Sequence, residues 1–394
     1  VLDSAARPTP TSSELVTRLV QEIDPSRPTP GGPWYSTRRL KAHTTRLGQF
    51  LWSSVRHPFT ARERAKESPV LMCHLNVENP GRAHLLNIEY EDSGDLLLAV
   101  SVSDQDADGR WLQLPVASGV RTAENPSSSG VQIHQVAFWP QTNSPSLSLY
   151  LQSPTGIAAV KKIRLQELPQ GLPTLDIADS SGQRRLFGLY LDNPDLWASW
   201  GSARAVEPSS RLPLDDWRTF LLSMNHLTEY ARFAGYNCIQ PTVVGQGGAM
   251  YPTTLLDANY RLDSGFVADS APDPVRKDAV ELLLRICQRN HLSVVPSIRF
   301  DGAISALDRK VIENDAQANG LLLVSREGKV WDKPVASSLQ PGRRYNPLNA
   351  DVQAAMLEVV HEFVQRYGAH PAFEALALDL APQSHVVLPG LDWG

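Results

Sequence analysis

The spacing of apolar residues changes once along this chain, and that change constrains the fold more than any other feature. Up to about residue 168, apolar and polar residues alternate in short runs, as at 70–77 and 96–102. After about residue 185, apolar runs are followed by stretches in which apolar residues recur every three or four positions, as at 217–231. Alternation predicts strands, and the longer spacing predicts helices. We therefore expect an all-β part followed by an α/β part.

The first part is expected to be an antiparallel, jelly-roll-like β-sandwich over residues 34–168. Further runs share the alternating pattern; they lie at 84–90, 131–138, 147–151 and 160–165. Many short strands separated by Gly, Pro, Asn and Asp are typical of sandwiches and jelly rolls. Residues 1–33 carry Pro clusters around a short helical pattern from Glu14 to Ile23, and we predict a weakly structured lead-in there.

After a linker assigned to residues 169–184, residues 185–394 are predicted to form the first half of a (β/α)8 TIM-type barrel. Buried strands are expected at 185–191, 238–244, 293–300 and 373–380. The helices between them have recognisable ends: Asp215 and Gly235 for the first, Asp273 with Pro274 for the start of the second, Asp351 and Gly368 for the third. Strands that alternate with helices form parallel sheets with right-handed crossovers.

A sheet of four parallel strands leaves two unpaired edges, which a closed barrel does not have. We therefore expect this chain to be the front portion of a longer protein, with a C-terminal continuation or a partner subunit that completes the barrel. The segments after the predicted strands are long, and those before them are short. Because barrels and doubly wound sheets build their sites from the loops at the strand carboxyl ends, the functional site is expected there.

Charged side chains stand at these predicted strand ends. Asp192 follows the first strand, Arg299 and Asp301 end the third, and Asp379 lies in the fourth. Two carboxyl groups that face each other across about 5–9.5 Å can cleave a glycosidic bond, and an Arg can hold one of them ionised. Asp379, Asp301 and Asp192 are the catalytic candidates, with Asp379 foremost, and Arg299 is a substrate-binding candidate. The alternative is that these residues cap helices or order loops.

Aromatic residues occur in the same predicted loops, at Trp197, Trp200, Tyr251 and Trp393. Sugar rings present apolar C–H faces that stack on aromatic rings, so these four residues are candidates for substrate binding. The alternative is that each aromatic ring anchors its loop to the core.

A candidate calcium loop begins at Asp104, where Asp104, Asp106 and Asp108 alternate ahead of Gly109. Carboxylates at this spacing can converge on a hard cation. However, Pro115 stands where such loops carry Glu, and the segment lies between strands, so a polar hairpin tip is the favoured interpretation. No required cofactor is predicted.

Composition excludes some classes of partner. With 42% hydrophobic and 20% charged residues the 394-residue chain is globular, and its formal charge of −5 offers no basic field for nucleic acid. No apolar run reaches the roughly 18 residues that span a bilayer, so no membrane insertion is expected. Cys73, Cys238 and Cys287 are an odd, widely spaced set and are predicted to be buried free thiols.

Four segments carry a family resemblance: VQIHQVAFWP at 131–140, YNPLNADVQ at 345–353, YGAHPAFEALAL at 367–378 and LPGLDWG at 388–394. They resemble bacterial, planctomycete-type glycoside hydrolase-like proteins with a family 10-like (β/α)8 barrel behind a β-rich domain. Related barrels place an Asn-Glu pair at the end of strand four and a second Glu on strand seven. Here strand four ends Leu378-Asp379-Leu380, so only Asp379 matches a catalytic position, by location.

The resemblance implies a carbohydrate partner, an extracytoplasmic location with the cytoplasm as the alternative, and glycoside hydrolysis with Asp379 as acid/base. The alternative function is a non-catalytic scaffold that binds glycans or proteins through the sandwich and a degenerate barrel.

Overall fold

The computed structural model divides into two compact units, Val1–Leu175 with Trp197–Val206, and Asp176–Leu196 with Glu207–Gly394. The residues that the structure describes are 16–25, 35–36, 40–45, 48–53, 70–92, 97–105, 111–113, 118–121, 130–152, 158–174, 185–192, 200, 205–206, 213–214, 217–245, 248–257, 266–267, 271–272, 277–313, 320–330 and 344–387.

The described part of the first unit contains two antiparallel sheets of six strands each. Its strands are β1 (Arg18–Ile23), β2 (Tyr35–Ser36), β3 (Leu40–Thr45), β4 (Gly48–Ser53), β5 (Val70–His74), β6 (His84–Asp92), β7 (Leu97–Gln105), β8 (Trp111–Gln113), β9 (Ser118–Arg121), β10 (Gly130–Phe138), β11 (Ser146–Gln152) and β12 (Ala158–Glu167).

The two sheets share one hydrophobic core, which confirms the predicted antiparallel β-sandwich. One sheet has the order β10-β6-β12-β4-β3 with β1 beside β12, and the other has the order β2-β5-β11-β7-β8 with β9 beside β7. Alternate residues of each strand point inward, as Leu98, Val100 and Val102 do on β7, and they meet Leu86 and Ile88 from the other sheet.

The prediction that Glu14–Ile23 is helical is wrong, because residues 18–23 form β1. This strand pairs antiparallel with β12 and places Ile23 in the sandwich core. In a segment this short, apolar spacing does not separate helix from strand, and the neighbouring strand's unpaired backbone groups decide the outcome. The lead-in therefore contributes a strand to the sandwich.

The second unit is built around parallel strands with helices between them. The short strands β14 (Ala205–Val206) and β15 (Pro213–Leu214) precede its first helix in the chain. The other elements are β13 (Gly188–Leu191), α1 (Trp217–Phe233), β16 (Cys238–Gly245), β17 (Gly248–Ala249), β18 (Phe266–Val267), β19 (Ala271–Pro272), α2 (Ala279–Arg289), β20 (Ser293–Val294), β21 (Ser297–Ile298), α3 (Ser305–Glu313), α4 (Ala350–Tyr367) and β22 (Ala377–Leu378).

The parallel strands lie in the sheet in the same order as in the chain, β13-β16-β21-β22. Helix α1 connects the first pair, α2 the second, and α3 and α4 the third. The predicted strand–helix alternation and parallel pairing are thus present. None of the helices among the described residues combines the length and apolarity that crossing a bilayer requires.

Two helix predictions need correction. Helix α2 does not start at Asp273 with Pro274; it starts at Ala279, because the Asp278 side chain accepts a hydrogen bond from the backbone N–H of Glu281 (2.9 Å) and caps it. Helix α3 lies between the predicted third strand and the predicted third helix, where the sequence analysis assigned no helix. Helix α4 starts at Ala350, one residue before the predicted Asp351, with Asn349 as its N-cap, and it ends at Tyr367 with Gly368 as its C-cap, as predicted.

The predicted burial of the outer two strands is wrong. Phe187 and Tyr190 on the first strand are 58% and 48% exposed, and Leu378 and Leu380 on the fourth are 50% and 66% exposed. In the described part of the chain each of these strands pairs on one side only, whereas Val243 in the central strand β16 is fully buried. Cys73, Cys238 and Cys287 are free and buried, as predicted.

Candidate functional site

Arg299, directly after β21, is the centre of the cluster at the strand ends. Its side chain is only 2% exposed, and its Nε donates to Asp379 Oδ2 at 2.7 Å. Its Nη2 lies 2.5 Å from the same oxygen and also donates to Asp192 Oδ1. Three of the four charged residues predicted from the strand ends are therefore in direct contact.

The backbone explains why these side chains meet. The N–H of Arg299 donates to Val244 O (3.0 Å) and the N–H of Asp379 donates to Ile298 O (2.9 Å), which continues the parallel ladder to the carboxyl ends of the strands. Parallel strands bring residues at equal register to one edge. Asp379 is further fixed because its Oδ1 accepts the backbone N–H of Ala381 at 2.8 Å.

Tyr190 belongs to the same cluster, and the sequence analysis missed it. Its hydroxyl donates to Asp379 Oδ2 at 3.1 Å and lies 3.4 Å from both Asp192 Oδ1 and Arg299 Nη2. Tyr190 precedes Asp192 by two positions, so the two side chains leave the strand on the same face. That spacing is the signal that could have identified it.

The electrostatics of the cluster keep Asp379 ionised. Burial pushes the pKa of Asp379 upward, but the hydrogen bonds from Arg299 and the Ala381 N–H and the charge of Arg299 outweigh it, so that the pKa is lowered. Burial likewise opposes the charge of Arg299, and its hydrogen bond and Coulomb attraction to Asp379 outweigh that effect and raise its pKa. An ionised Asp379 can accept hydrogen bonds or a proton at neutral pH.

The space between the two carboxylates is occupied by the guanidinium. Asp192 and Asp379 contact the same nitrogen of Arg299, whereas a pair that cleaves a glycosidic bond must face each other across the substrate. In this arrangement Asp192 and Asp379 are held at one nitrogen of Arg299.

Asp301 lies next to this cluster. It is 9% exposed, its N–H donates to Arg299 O (3.1 Å), and its negative charge acts on Arg299. A Cβ on Gly245 would lie 3.5 Å from Arg299 Cβ and 3.6 Å from Asp301 Oδ1.

Between these strand ends is a cavity of about 20 Å³, lined in part by Asp257, with room for about one water.

The segment after β22 is anchored beneath the site by two residues that the sequence analysis did not single out. His385 donates its backbone N–H to Phe300 O (2.6 Å), and its ring lies 3.1 Å from Gly302 O. Burial lowers the pKa of His385 to about 4, so the ring is neutral at pH 7. Arg344 Nη2 donates to Ser384 O at 3.0 Å. No spacing in the sequence pointed to either residue.

The aromatic candidates do not join the cluster. Trp200 is 6% exposed and packs edge-on against Trp139 in the first unit, with ring centroids 6.3 Å apart. Tyr251 is 2% exposed and packs edge-on against Phe363 at 5.3 Å. Both rings serve cores, which corrects their assignment as sugar-stacking platforms.

Trp197 and Trp393, the other two aromatic candidates, lie outside the described residues.

Asp104 of the candidate calcium loop is a structural residue. It is 1% exposed, and its carboxylate accepts hydrogen bonds from the backbone N–H groups of Gln105, Gln141 and Thr142 and from the Thr142 hydroxyl, at 2.6–3.0 Å. Asp106 and Asp108 lie outside the described residues. Within the described ranges, no group of three or more His, Cys, Asp and Glu side chains could hold a metal ion.

No family model and no curated protein matches the sequence. Solved structures overlap it weakly. The paired CBM22-1 and GH10 modules of Clostridium thermocellum endo-1,4-β-D-xylanase 10B give a TM-score of 0.28 at 10% identity over 72% of this chain and 46% of that chain.

Two carbohydrate-binding modules overlap a smaller share of the chain. The CBM22-1 xylan-binding domain from Paenibacillus barcinonensis gives 0.26 at 17% identity over 38% and 95%. A mannan-recognising module, TmCBM27, gives 0.26 at 12% over 38% and 98%. These TM-scores lie below 0.5, so the proposals below rest on the residues of this chain.

Proposed function

We propose that this protein binds a saccharide at the carboxyl ends of the parallel strands, through Asp192, Asp379 and Tyr190 held around Arg299. The observation that carries the proposal is the buried Arg299, which fixes two carboxylates at one point beside a half-exposed tyrosine ring. Ligands of α/β sheets bind at the carboxyl ends of the strands, and charged groups with shifted pKa values cluster at functional sites.

The chemistry of the cluster suits a hydroxyl-rich ring. Sugar hydroxyls donate hydrogen bonds, and carboxylates are strong acceptors. The Asp192 side chain is 63% exposed and can be reached from solvent, whereas Asp379 is 11% exposed and oriented by three partners. Because these side chains are already ordered, little conformational entropy is lost on binding. The exposed ring of Tyr190 offers an apolar face beside the acceptors.

Binding is favoured over cleavage by these residues alone. A glycosidase needs one carboxylic acid that holds a proton, and its pKa is raised for that purpose. The pKa of Asp379 is lowered instead, and Arg299 stands between Asp379 and Asp192. Arg299 therefore acts as a positioning residue in the proposal, and Asp192, Asp379 and Tyr190 contact the saccharide.

Glycoside hydrolysis is the second candidate. An ionised Asp379 has the charge state that a nucleophile or general base requires. In that case a proton donor outside this cluster would complete the reaction, and Asp192, Arg299 and Asp301 would position the sugar.

We further propose that the parallel sheet is the first half of a family 10-like barrel. Parallel strands that lie in chain order with helices between them are the arrangement from which such barrels are built. The exposed apolar residues on both outer strands support a further partner at these edges. An extracytoplasmic location remains a prediction from the family resemblance.

The test is a binding screen of the full chain against a panel of polysaccharides and oligosaccharides, with release of reducing ends measured on the same panel. Asp379→Asn should weaken binding about 10- to 100-fold, because a charge-assisted hydrogen bond contributes about 1.5–3 kcal/mol. Glu358→Gln, on the exposed side of α4, is the matched control and should bind as the parent does.

Binding without reducing ends supports the first candidate, and turnover that Asp379→Asn abolishes supports the second. If Asp379→Asn left binding unchanged, the saccharide would not bind at the strand ends, and the proposal would be wrong.

A further inference from the structure

Resting on the proposed function, we infer that the strand-end site selects saccharides by charge: it takes neutral and amine-bearing sugars and rejects uronates. The inference comes from the balance of charged groups around Arg299 and from which of them an incoming ligand can reach.

Three carboxylates surround one guanidinium at this site. Asp192 and Asp379 contact Arg299 directly, and Asp301 acts on it electrostatically. Asp257 lines the small cavity next to Arg299. These described residues therefore leave a net negative charge at the place where the ligand is proposed to bind.

Arg299 cannot serve as a receptor for a ligand carboxylate. Its side chain is 2% exposed, and its Nε and Nη2 already donate to Asp379 and Asp192. An incoming carboxylate would have to displace one of these aspartates or lie beside it. Like charges placed together in this way are the repulsive element that produces specificity.

Arg344, another cation among the described residues, does not offset this charge toward the ligand. It is 6% exposed and donates to the backbone oxygens of Ser384 and Val387. Its role is to anchor the segment after β22.

Asp192 is the carboxylate that a ligand meets first, because its side chain is 63% exposed. Among the contacts described for it, one oxygen faces Arg299 and Tyr190. A protonated amine near Asp192 would form a charge-assisted hydrogen bond, which is stronger than the bond from a neutral hydroxyl. A uronate in the same position would be repelled.

The experiment measures binding of the full chain to three oligosaccharides of the same linkage and length: a neutral hexose oligomer, its 6-carboxylate and its 2-amino counterpart. Isothermal titration at pH 7 and low salt should show the carboxylate binding at least 10-fold more weakly than the neutral oligomer. The 2-amino oligomer should bind at least as tightly as the neutral oligomer. Added salt should reduce the difference in affinity between the three oligomers, because it screens exposed charges.

Asp192→Asn should bring the dissociation constants of the neutral and carboxylate oligomers closer together, whatever its effect on absolute affinity. Glu358→Gln should leave the ratio of the two dissociation constants unchanged. Charge selection is overturned if the carboxylate oligomer binds as tightly as the neutral oligomer or more tightly. That result would still support a saccharide site. Failure of all three to bind, in a chain whose circular dichroism is native, overturns the proposed function itself.

Discussion

Glu167 and Asp379 are both carboxylates with lowered pKa values, and they differ in what surrounds them. Burial pushes the pKa of Glu167 upward, but hydrogen bonds from Asn79, Arg18 and Arg82 outweigh it and lower the pKa to about 2. Its partners tie β1 and the segment before β6 to β12. Glu167 is 1% exposed, so it stabilises the sandwich and is not available to a ligand.

Glu167→Gln should destabilise the protein by about 1–3 kcal/mol, because the variant removes the negative charge that Arg18 and Arg82 contact and replaces one acceptor oxygen with an NH2 group. The folded-state pKa lies below the unfolded value of about 4.5, so the stabilisation is present above pH 4.5 and is lost as the pH falls toward 2. Urea unfolding at pH 7 and pH 3 measures both effects: the difference between parent and variant should shrink at pH 3. Glu78→Gln, whose side chain is 62% exposed, is the control, and a difference that grows at pH 3 would contradict this assignment.

Arg299→Gln should raise the pKa of Asp379, because the variant removes the positive charge and leaves Asp192 as a nearby negative one. Carbon-13 NMR of the aspartate carboxyl groups over a pH titration measures the change. The variant Lys310→Gln, which removes a surface partner of Asp351, should leave the Asp379 titration as it is. An unchanged titration in Arg299→Gln would show that the ion pair does not set the charge state.

At the scale of elements, α2 depends on one residue for its start. Asp278 accepts the Glu281 N–H at 2.9 Å and the Tyr367 hydroxyl at 2.9 Å, so it joins the start of α2 to the end of α4. The sequence analysis placed this start at Asp273 because Pro274 follows it, whereas the helix begins at Ala279, after Asp278.

Asp278→Ala should lower the free energy of unfolding by about 1–2 kcal/mol, because α2 loses its N-cap. The loss should be larger still because the Tyr367 hydroxyl also loses its acceptor. Asp278→Asn keeps a capping oxygen and should retain most of the stability. Tyr367→Phe removes only the second interaction, so a double-mutant cycle by chemical denaturation separates the two. Equal stability of Asp278→Ala and the parent would refute the capping role.

Elements with strong local signals were predictable, and those that depend on distant partners were not. The end of α4 follows from Gly368, as predicted, and its start lies one residue before the predicted Asp351, where Asn349 is the N-cap. Strand β1 forms because β12 supplies partners at least 140 positions away, as in the pair Ile23 and Ile163, which no local pattern records. At the site, the charged residues followed from their position at the predicted strand ends, whereas Tyr190 was missed although it lies two positions before Asp192.

At the scale of the whole molecule, the three free thiols distinguish the two units. Cys73 is in the sandwich core, and Cys238 and Cys287 are buried in the parallel-sheet unit. Burial raises the pKa of Cys73 to about 12 and raises that of Cys287 further, so these thiols are both covered and protonated at pH 7.

All three thiols should therefore resist alkylation in the native protein and react as each unit unfolds. Maleimide labelling across a denaturant series, with peptides resolved by mass spectrometry, reports Cys73 for the sandwich and Cys238 with Cys287 for the parallel-sheet unit. If any of the three thiols in the native protein were labelled at the rate of an unfolded control, that thiol would not be buried as the structure shows.

The central claim is that a saccharide binds at the ends of the parallel strands. Hydrogen–deuterium exchange of the full chain, with and without a saturating oligosaccharide from the binding screen, tests it most directly. We predict that the ligand slows exchange at 188–192, 297–303 and 377–387. Slowed exchange confined to the sandwich strands, or no change at saturation, would contradict the account.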